Sequence, residues 1–419
     1  MDTAKAQGSM DHFDIILALA RAALESRNPR ALHQIQRLRD ALSATDKEQA
    51  AKLARLLSAT DRKQDLTPLA FEETRAAATA LRSLLPGEIL TANTPLPRDK
   101  ETSAPLVRVL FPDASAGEAP ILAPSLAEAV SDLLLEWGRL DQLRKFGAAP
   151  NTRCLLYGPP GVGKTQLARH IARQLDLPCV EVRLDGLVSS FLGTTARNIG
   201  ALFEFANRYR CLLFLDEFDA LAKARDDAHE LGEIKRVVNT LLQCLDDREG
   251  RGFTIAATNH EHLLDTAIWR RFDARIELLK PEAEARAAII ARHMKPLQPN
   301  SETERFLVWL TEGLSGADIA SLTRSTKRYV ALHATNAEVN LPPDALIAAL
   351  RRFVVLNAKL FAPERRQAVA GTRADLLKAL EDADLNQNER AEFLGVSQST
   401  VSRQAKKRPG RKKQERVDG

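Results

Sequence analysis

The pattern of apolar and polar positions changes character several times along the chain. Between residues 11 and 85 apolar positions recur at helical spacing. Ile15, Ile16, Leu19, Ala20, Ala23 and Leu24 make one stripe, Leu32, Ile35, Leu38 and Leu42 a second, and Ala50, Leu53, Leu56 and Leu57 a third; a fourth amphipathic segment covers about 68–85. This predicts a helical N-terminal domain over 1–85. Residues 86–120 break the pattern. Pro86, Pro95, Pro97, Pro105, Pro112 and Pro120 punctuate polar sequence there, which reads as a Pro-rich linker or irregular arm with one short strand near Leu106–Phe111. From residue 121 to 281 five short apolar runs, Cys154–Tyr157, Cys179–Val182, Cys211–Leu215, Phe253–Ala257 and Arg275–Leu279, are separated by helical stretches. Strands alternating with helices predict a parallel sheet covered on both faces, an α/β fold. Residues 282–362 return to helix only. A last helical unit occupies 363–408, and a basic, disordered tail is expected over 409–419.

Composition narrows the class. With 419 residues, 44% hydrophobic and 27% charged, the chain is a soluble, multi-domain globular protein and not a collagenous, wholly disordered or disulfide-stapled one. The longest apolar run near the start, Ile15–Ala20, falls far short of the ~20 residues that span a bilayer. Neither a signal peptide nor a membrane partner is expected. Cys154, Cys179, Cys211 and Cys244 have no metal-ligand spacing and read as small buried hydrophobes in a reducing cytoplasm. The net charge of +5 is unevenly placed: residues 403–419 carry eight Lys/Arg against two Asp/Glu, so the remainder is close to neutral. Any nucleic-acid partner is therefore expected at the C-terminus.

Four segments carry chemistry. Gly158-Pro159-Pro160-Gly161-Val162-Gly163-Lys164-Thr165 fits G-x-x-x-x-G-K-[ST], with a strand before it and a helix opening at Gln166 after it. The glycines let backbone N–H groups turn in around phosphate oxygens, and the helix N-terminus adds its dipole. Lys164 would reach the β- and γ-phosphates of ATP, and Thr165 would offer its hydroxyl to Mg²⁺. Next, Cys211–Leu215 is an apolar run ending in Asp216 and Glu217. Asp216 is suited to the magnesium shell and Glu217 to polarising an attacking water. Phe253–Thr258 then ends in Asn259, which would lie on the same sheet edge, although a lone Asn at a strand end is more often a turn residue. Finally, Arg270 and Arg271 are adjacent in Leu264–Asp273. Such a pair is usually solvated or bound to a local carboxylate.

In order and spacing, residues from about 121 to 360 resemble the AAA family of the AAA+ ATPases. The Leu264–Asp273 segment is similar to that of the katanin, spastin and ESCRT-disassembly type, which also carries two consecutive arginines. The resemblance implies a large ATPase domain over 121–281 and a helical lid over 282–362. It also implies that Asn259 is a sensor, that Arg270 and Arg271 are arginine fingers acting on a neighbour's nucleotide, and that the chain is a homo-oligomer, typically a hexamer. Gly313–Asp318 resembles the family's lid segment, in which the pair Gly316-Ala317 takes the place of a sensing arginine beside the nucleotide. Leu187–Gly193 is similar to the pore loop of protein-remodelling members, with Phe191, Leu192 and Gly193 at its core; a second channel loop is expected within 224–232.

Ala391, Gly395 and Val401 have helix-turn-helix spacing, with helices expected over 373–383, 386–394 and 398–407. Gln398, Ser399, Thr400, Ser402 and Arg403 open the last of these, where base edges of duplex DNA are read. The unit resembles those of bacterial regulators and resolvase-like tails. The combined expectation is a bacterial ring-forming ATPase that remodels a protein substrate, placed on DNA by its C-terminus. A DNA-directed regulator that recruits a partner, and an unfoldase served by a separate protease, are the alternatives.

Overall fold

A computed structural model describes Gln49 and residues 85–112, 118–148, 150–184, 192–220, 231–248, 250–333 and 343–401, apart from the side chains of residues 183, 192, 193 and 231–235. The chain divides into two units, Met1–Glu73 and Thr74–Gly419. The expected N-terminal helical domain, the Phe191 position, most of the second channel loop, Ser402, Arg403 and the basic tail lie outside the described residues.

The strands are β1 (Arg108–Leu110), β2 (Arg153–Tyr157), β3 (Cys179–Arg183), β4 (Leu212–Asp216), β5 (Phe253–Thr258) and β6 (Ala274–Glu277). They form one sheet of order β1-β3-β4-β5-β2-β6. The helices are α1 (Pro124–Gly138), α2 (Leu140–Lys145), α3 (Lys164–Gln174), α4 (Leu192–Arg208), α5 (Leu231–Asp247), α6 (Thr266–Trp269), α7 (Ala283–Met294), α8 (Ser301–Leu310), α9 (Gly316–His333), α10 (Pro343–Leu356), α11 (Pro363–Ala370), α12 (Arg373–Asp382) and α13 (Gln387–Phe393).

β2 to β6 are parallel, as the alternation predicts. Their apolar residues are buried on both faces: Leu212, Leu213 and Leu215 are fully enclosed, each worth about 1.5–3 kcal/mol of burial. Parallel strands also place all their C-terminal ends on one edge. Two sequence expectations change. The sheet is not wholly parallel, because β1 pairs antiparallel with β3 through Arg108↔Glu181, Val109↔Val180 and Leu110↔Cys179. A three-residue edge strand in Pro-broken sequence carries too little pattern to reveal its direction. The last strand stops at Glu277, and Leu279 is exposed.

Residues 85–112 take the form of an irregular arm fastened to the sheet edge. Leu90, Leu106 and Val107 enter the core packed on the sheet. The buried Asp99 carboxylate accepts from the Asn198 amide of α4, the Thr102 N–H at 2.7 Å and the Glu101 N–H at 2.9 Å. The Thr102 N–H and then Asn198 hold its pKa at about 2. Under the sheet Trp137 of α1 stacks on Phe253 with ring centres 4.3 Å apart.

The lid helices α7–α10 make a second core, and α11–α13 belong to it. Phe306 of α8 meets Phe393 of α13 edge-on at 5.1 Å, and Arg305 pairs with Glu389. Arg365 of α11 covers the Trp309 ring at 4.7 Å. Within this mass α12 and α13 are followed by a turn and one further helical stretch. Thr372 and Asn386 form capping boxes at α12 and α13. Gly395 turns the chain at φ +61°, a left-handed conformation that favours glycine. Residues 398–401 are helical, and Ala391 and Val401 are buried.

Candidate nucleotide site

The C-terminal edge of the sheet gathers the sequence-predicted residues. Between β2 and α3 the loop passes so close to the strand beyond that only glycine fits at position 158. Gly158 has φ +132°, and a Cβ there would sit 2.1 Å from the Leu278 carbonyl oxygen. Lys164 opens α3, two residues before the expected start. Its ammonium donates to the carbonyls of Gly158 at 2.7 Å and Pro159 at 2.9 Å. It is buried, and burial pulls its pKa below the ordinary lysine range while Asp216, Asp219 and Glu261 pull it back. A buried lysine at the N-terminus of a helix, beside a glycine loop, suits an anion.

One residue on, the Thr165 hydroxyl donates to Asp216 Oδ2 at 3.0 Å. Thr165 and Asp216 therefore converge from two elements as a hydroxyl and a carboxylate. That all-oxygen set, beside a phosphate cradle, fits Mg²⁺; the ion would neutralise phosphate charge there. Glu217, at the tip of β4, adopts φ +55°, and its N–H returns to Asp216 Oδ1 at 3.0 Å. A non-glycine residue in the left-handed region costs on the order of 1–3 kcal/mol and is characteristic of active sites. Asn259 follows β5, half-buried.

Asp219 is a residue that sequence reasoning passed over. It is buried, accepts from the Thr258 hydroxyl at 3.1 Å and faces the Asn259 N–H at 3.3 Å. It thus ties the tip of β5 to the turn that carries Glu217. Its only sequence signal was a third acid two residues beyond the pair.

The lid closes on the loop. The Ala317 N–H donates to the Gly161 carbonyl at 3.0 Å. A Cβ on Gly161 would meet Ser315 Oγ at 2.5 Å and Ala317 Cβ at 3.1 Å. Asp318 holds Ser315 in place through its hydroxyl at 2.6 Å and its N–H at 3.1 Å. Ala317 lies directly against the phosphate loop, whereas a Cβ on Gly316 would make only ordinary contact with the Gly161 carbonyl oxygen at 3.6 Å. A second unanticipated feature is the strap at 118–120. Arg292 of α7 pairs with Glu118 at 3.2 Å and donates to the Ala119 carbonyl, while the Gln166 amide reaches the Glu118 carbonyl at 3.5 Å. The strap thereby bridges lid and α3. Beside it, burial first and then the surrounding cations lower the pKa of His293, against the pull of Glu118.

A third missed group is Arg248. It is fully buried and donates to the Ala206 and Cys211 carbonyls, the Asn207 side chain and the Thr254 hydroxyl. It clamps the base of the sheet between α4, β4 and β5.

The remaining expected residues do not join the pocket. Arg270 is exposed. Arg271 lies beside Arg153, at the end of β2 opposite the phosphate loop, where both pair with Asp246. Arg271, held there, is turned away from this chain's own phosphate loop. Leu192 and Gly193, expected in a loop, instead begin α4. Gln398 and Ser399 are exposed and Thr400 is half-buried, at the start of the last helical turn.

Comparison with known proteins agrees with this geometry. Residues 154–279 match the model of the ATPase family associated with various cellular activities (AAA). A protein of Sinorhizobium fredii named uncharacterized AAA family ATPase y4kL is 43% identical over 204 residues, which is 49% of this chain and 60% of that one. The proteasome-activating nucleotidase of Thermococcus onnurineus is 34% identical over 237 residues, covering 54% of this chain and 59% of the relative. The ATP-dependent zinc metalloprotease FtsH 3 of Sphaerobacter thermophilus is 33% identical over 270 residues, 62% of this chain and 54% of that one. The chain thus spans little more than half the length of these relatives. Among solved structures, one titled as the FIGL-1 AAA domain in complex with ADP aligns at a TM-score of 0.48 and 24% identity, over 61% of this chain and 94% of that one. With their strand-loop-helix phosphate site and paired acidic strand end, residues 154–279 match an ATPase domain of the AAA family.

Proposed function

We propose that the protein is an ATP-hydrolysing, Mg²⁺-dependent ring-forming motor that remodels a protein substrate. The observation that carries the catalytic half is the convergence of Lys164, Thr165 and Asp216, with Glu217 at the next position and the lid seated on Gly161. Lys164 and the loop N–H groups hold the phosphates, Thr165 and Asp216 hold the metal, and Glu217 orients the attacking water. Asn259, steadied by Asp219, reaches the same water or the γ-phosphate. The Arg270-Arg271 segment acts on the neighbouring subunit's nucleotide, which makes a hexameric ring the working form. Nucleotide at each interface then favours assembly.

The remodelling half rests on the likeness to proteasome-activating and FtsH-type relatives and on Phe191, whose aromatic ring in a Ser-Ser-Phe-Leu-Gly segment suits gripping an extended polypeptide. The C-terminal helices support recruitment to duplex DNA, with Gln398, Ser399, Thr400, Ser402 and Arg403 reading bases and the basic tail meeting phosphates. That would place the protein in the cytoplasm, at the nucleoid. A DNA-directed regulator is the second reading, favoured by the same turn at Gly395.

Glu217→Gln tests the site. It should bind ATP normally and hydrolyse it about a hundred- to ten-thousandfold more slowly; full activity refutes the assignment. The same variant, locked with ATP and recovered from cells with and without nuclease, separates the two readings. A protein retained after nuclease supports remodelling, and one lost together with DNA supports the regulator.

A further inference from the structure

The two adjacent arginines of the finger segment have different surroundings. The segment is held by inward side chains four residues apart: Ile268 is buried, and Phe272 is fully enclosed against Phe218 at 5.7 Å, edge to face. Phe218 follows Glu217 directly. Between these anchors Arg270 faces outward, and among the described residues its side chain enters no hydrogen bond or ion pair.

Arg271 is engaged along its whole head group. Nη2 lies 3.3 Å and Nε 3.4 Å from the two Asp246 oxygens, a two-point grip on the last turn of α5, and Nη1 donates to the Ala267 carbonyl at 3.2 Å. Asp246 is shared with Arg153 at 3.4 Å, and Arg153 turns to Asp273 at 3.5 Å. Two arginines and two aspartates therefore close a loop around the base of the turn that presents Arg270. An arginine bound at two points is committed by the geometry of its planar fork. Releasing it toward another molecule would strand Asp246 with one partner.

We infer that the two arginines divide the work: Arg270 alone reaches the neighbouring nucleotide, and Arg271 is a positioning residue that acts through Asp246, fixing the turn so that Arg270 projects correctly. This rests on the trans-acting reading above and deepens it. It also explains why two arginines stand together. One outward cation just past a four-residue helix would wander, and the second anchors the turn from the flank.

The test uses the full chain with steady-state ATPase kinetics on Arg270→Ala, Arg270→Lys, Arg271→Ala, Arg271→Lys and Asp246→Asn, each checked for wild-type melting temperature and nucleotide affinity. Arg270→Ala and Arg270→Lys should lower kcat about a thousandfold or more. Arg271→Ala and Asp246→Asn should match each other, at about a hundredfold or less, with KM unchanged. Arg271→Lys should recover most of the loss, because an ammonium still pairs with Asp246.

Mixing supplies a readout that a merely structural lesion would not move. Asp246→Asn subunits keep an intact hydrolytic site and present a poor finger, whereas Glu217→Gln subunits present an intact finger and cannot hydrolyse. Combined, they should regain activity that neither has alone. Full activity in Arg270→Ala would overturn the trans-acting reading itself. With Arg270→Ala inactive, the division of labour is overturned if Arg271→Ala is equally inactive while Asp246→Asn is normal. It is also overturned if Arg271→Ala and Asp246→Asn are both silent, or if the mixture shows no recovery.

Discussion

Truncating Phe393 should weaken the lid, although the residue lies in the C-terminal helices. Phe393 is 2% exposed and Phe306 is fully buried, with their rings edge to face at 5.1 Å. Removing a buried Phe costs about 3–5 kcal/mol, including the cavity left behind, and the ring pair accounts for about 0.5–1.5 kcal/mol beyond area. If α8 and α13 share one core, that loss falls on both. The free energy of opening α8 should drop by several kcal/mol, speeding exchange of its slowest amides by about two to three powers of ten. Amide hydrogen exchange followed by mass spectrometry on Phe393→Ala reads this directly from peptides spanning 301–310. Peptides of the sheet, such as 212–216, should hold wild-type protection, since that core is separate. Loss of protection confined to 373–401, with 301–310 unchanged, would refute the shared core. It would restore a free-standing unit over 363–408.

Two further changes probe the other core. Gly158→Ala forces a side chain onto the Leu278 carbonyl at a left-handed φ, which costs about 1–2 kcal/mol in backbone alone; a lower melting temperature together with lost titration of a fluorescent ADP is expected, and an unchanged melting point refutes the crowding. His170 is buried on α3, and desolvation, with Arg173 adding to it, holds its pKa at about 4 against an ordinary 6.5. The unfolded chain therefore takes up a proton between pH 6.5 and 4 that the folded chain refuses, so stability falls across that window as pH drops and levels off below it. The full shift corresponds to about 3 kcal/mol, and denaturant melts of His170→Gln against wild type should differ in slope over that window and run parallel above pH 7.

How much of this was legible in sequence depended on whether the information was contiguous. The phosphate loop, the Asp216-Glu217 strand end and the Asn259 strand end are each a short run in which burial and chemistry sit side by side, so their elements and common edge could be read from spacing. The Asp219–Thr258, Arg248–Ala206 and Arg292–Ala119 contacts span 39, 42 and 173 residues of chain, and nothing near these residues marks those partners. The arm over 85–112 is the same case at the level of fold. Leu90, Leu106 and Val107 have no common period, and what makes the segment more than a linker is the burial of Asp99 against Asn198 on a distant helix.

The C-terminal boundary shows why periodicity alone stops short. Leu376, Leu380, Ala391 and Val401 satisfy the pattern of three helices closing on one another, and they are buried as that pattern requires. The same residues would be buried in a free-standing unit. What joins them to the lid is Phe393, placed against Phe306, with Arg305 reaching Glu389 beside it and Arg365 covering Trp309 from α11. A buried aromatic pair bridging two segments couples their stabilities, because neither can open without exposing the other's ring. The lid in turn rests its Ser315–Ala317 corner on Gly161. A displacement of that corner by a phosphate in the loop would therefore bear on the core that α8 and α13 share.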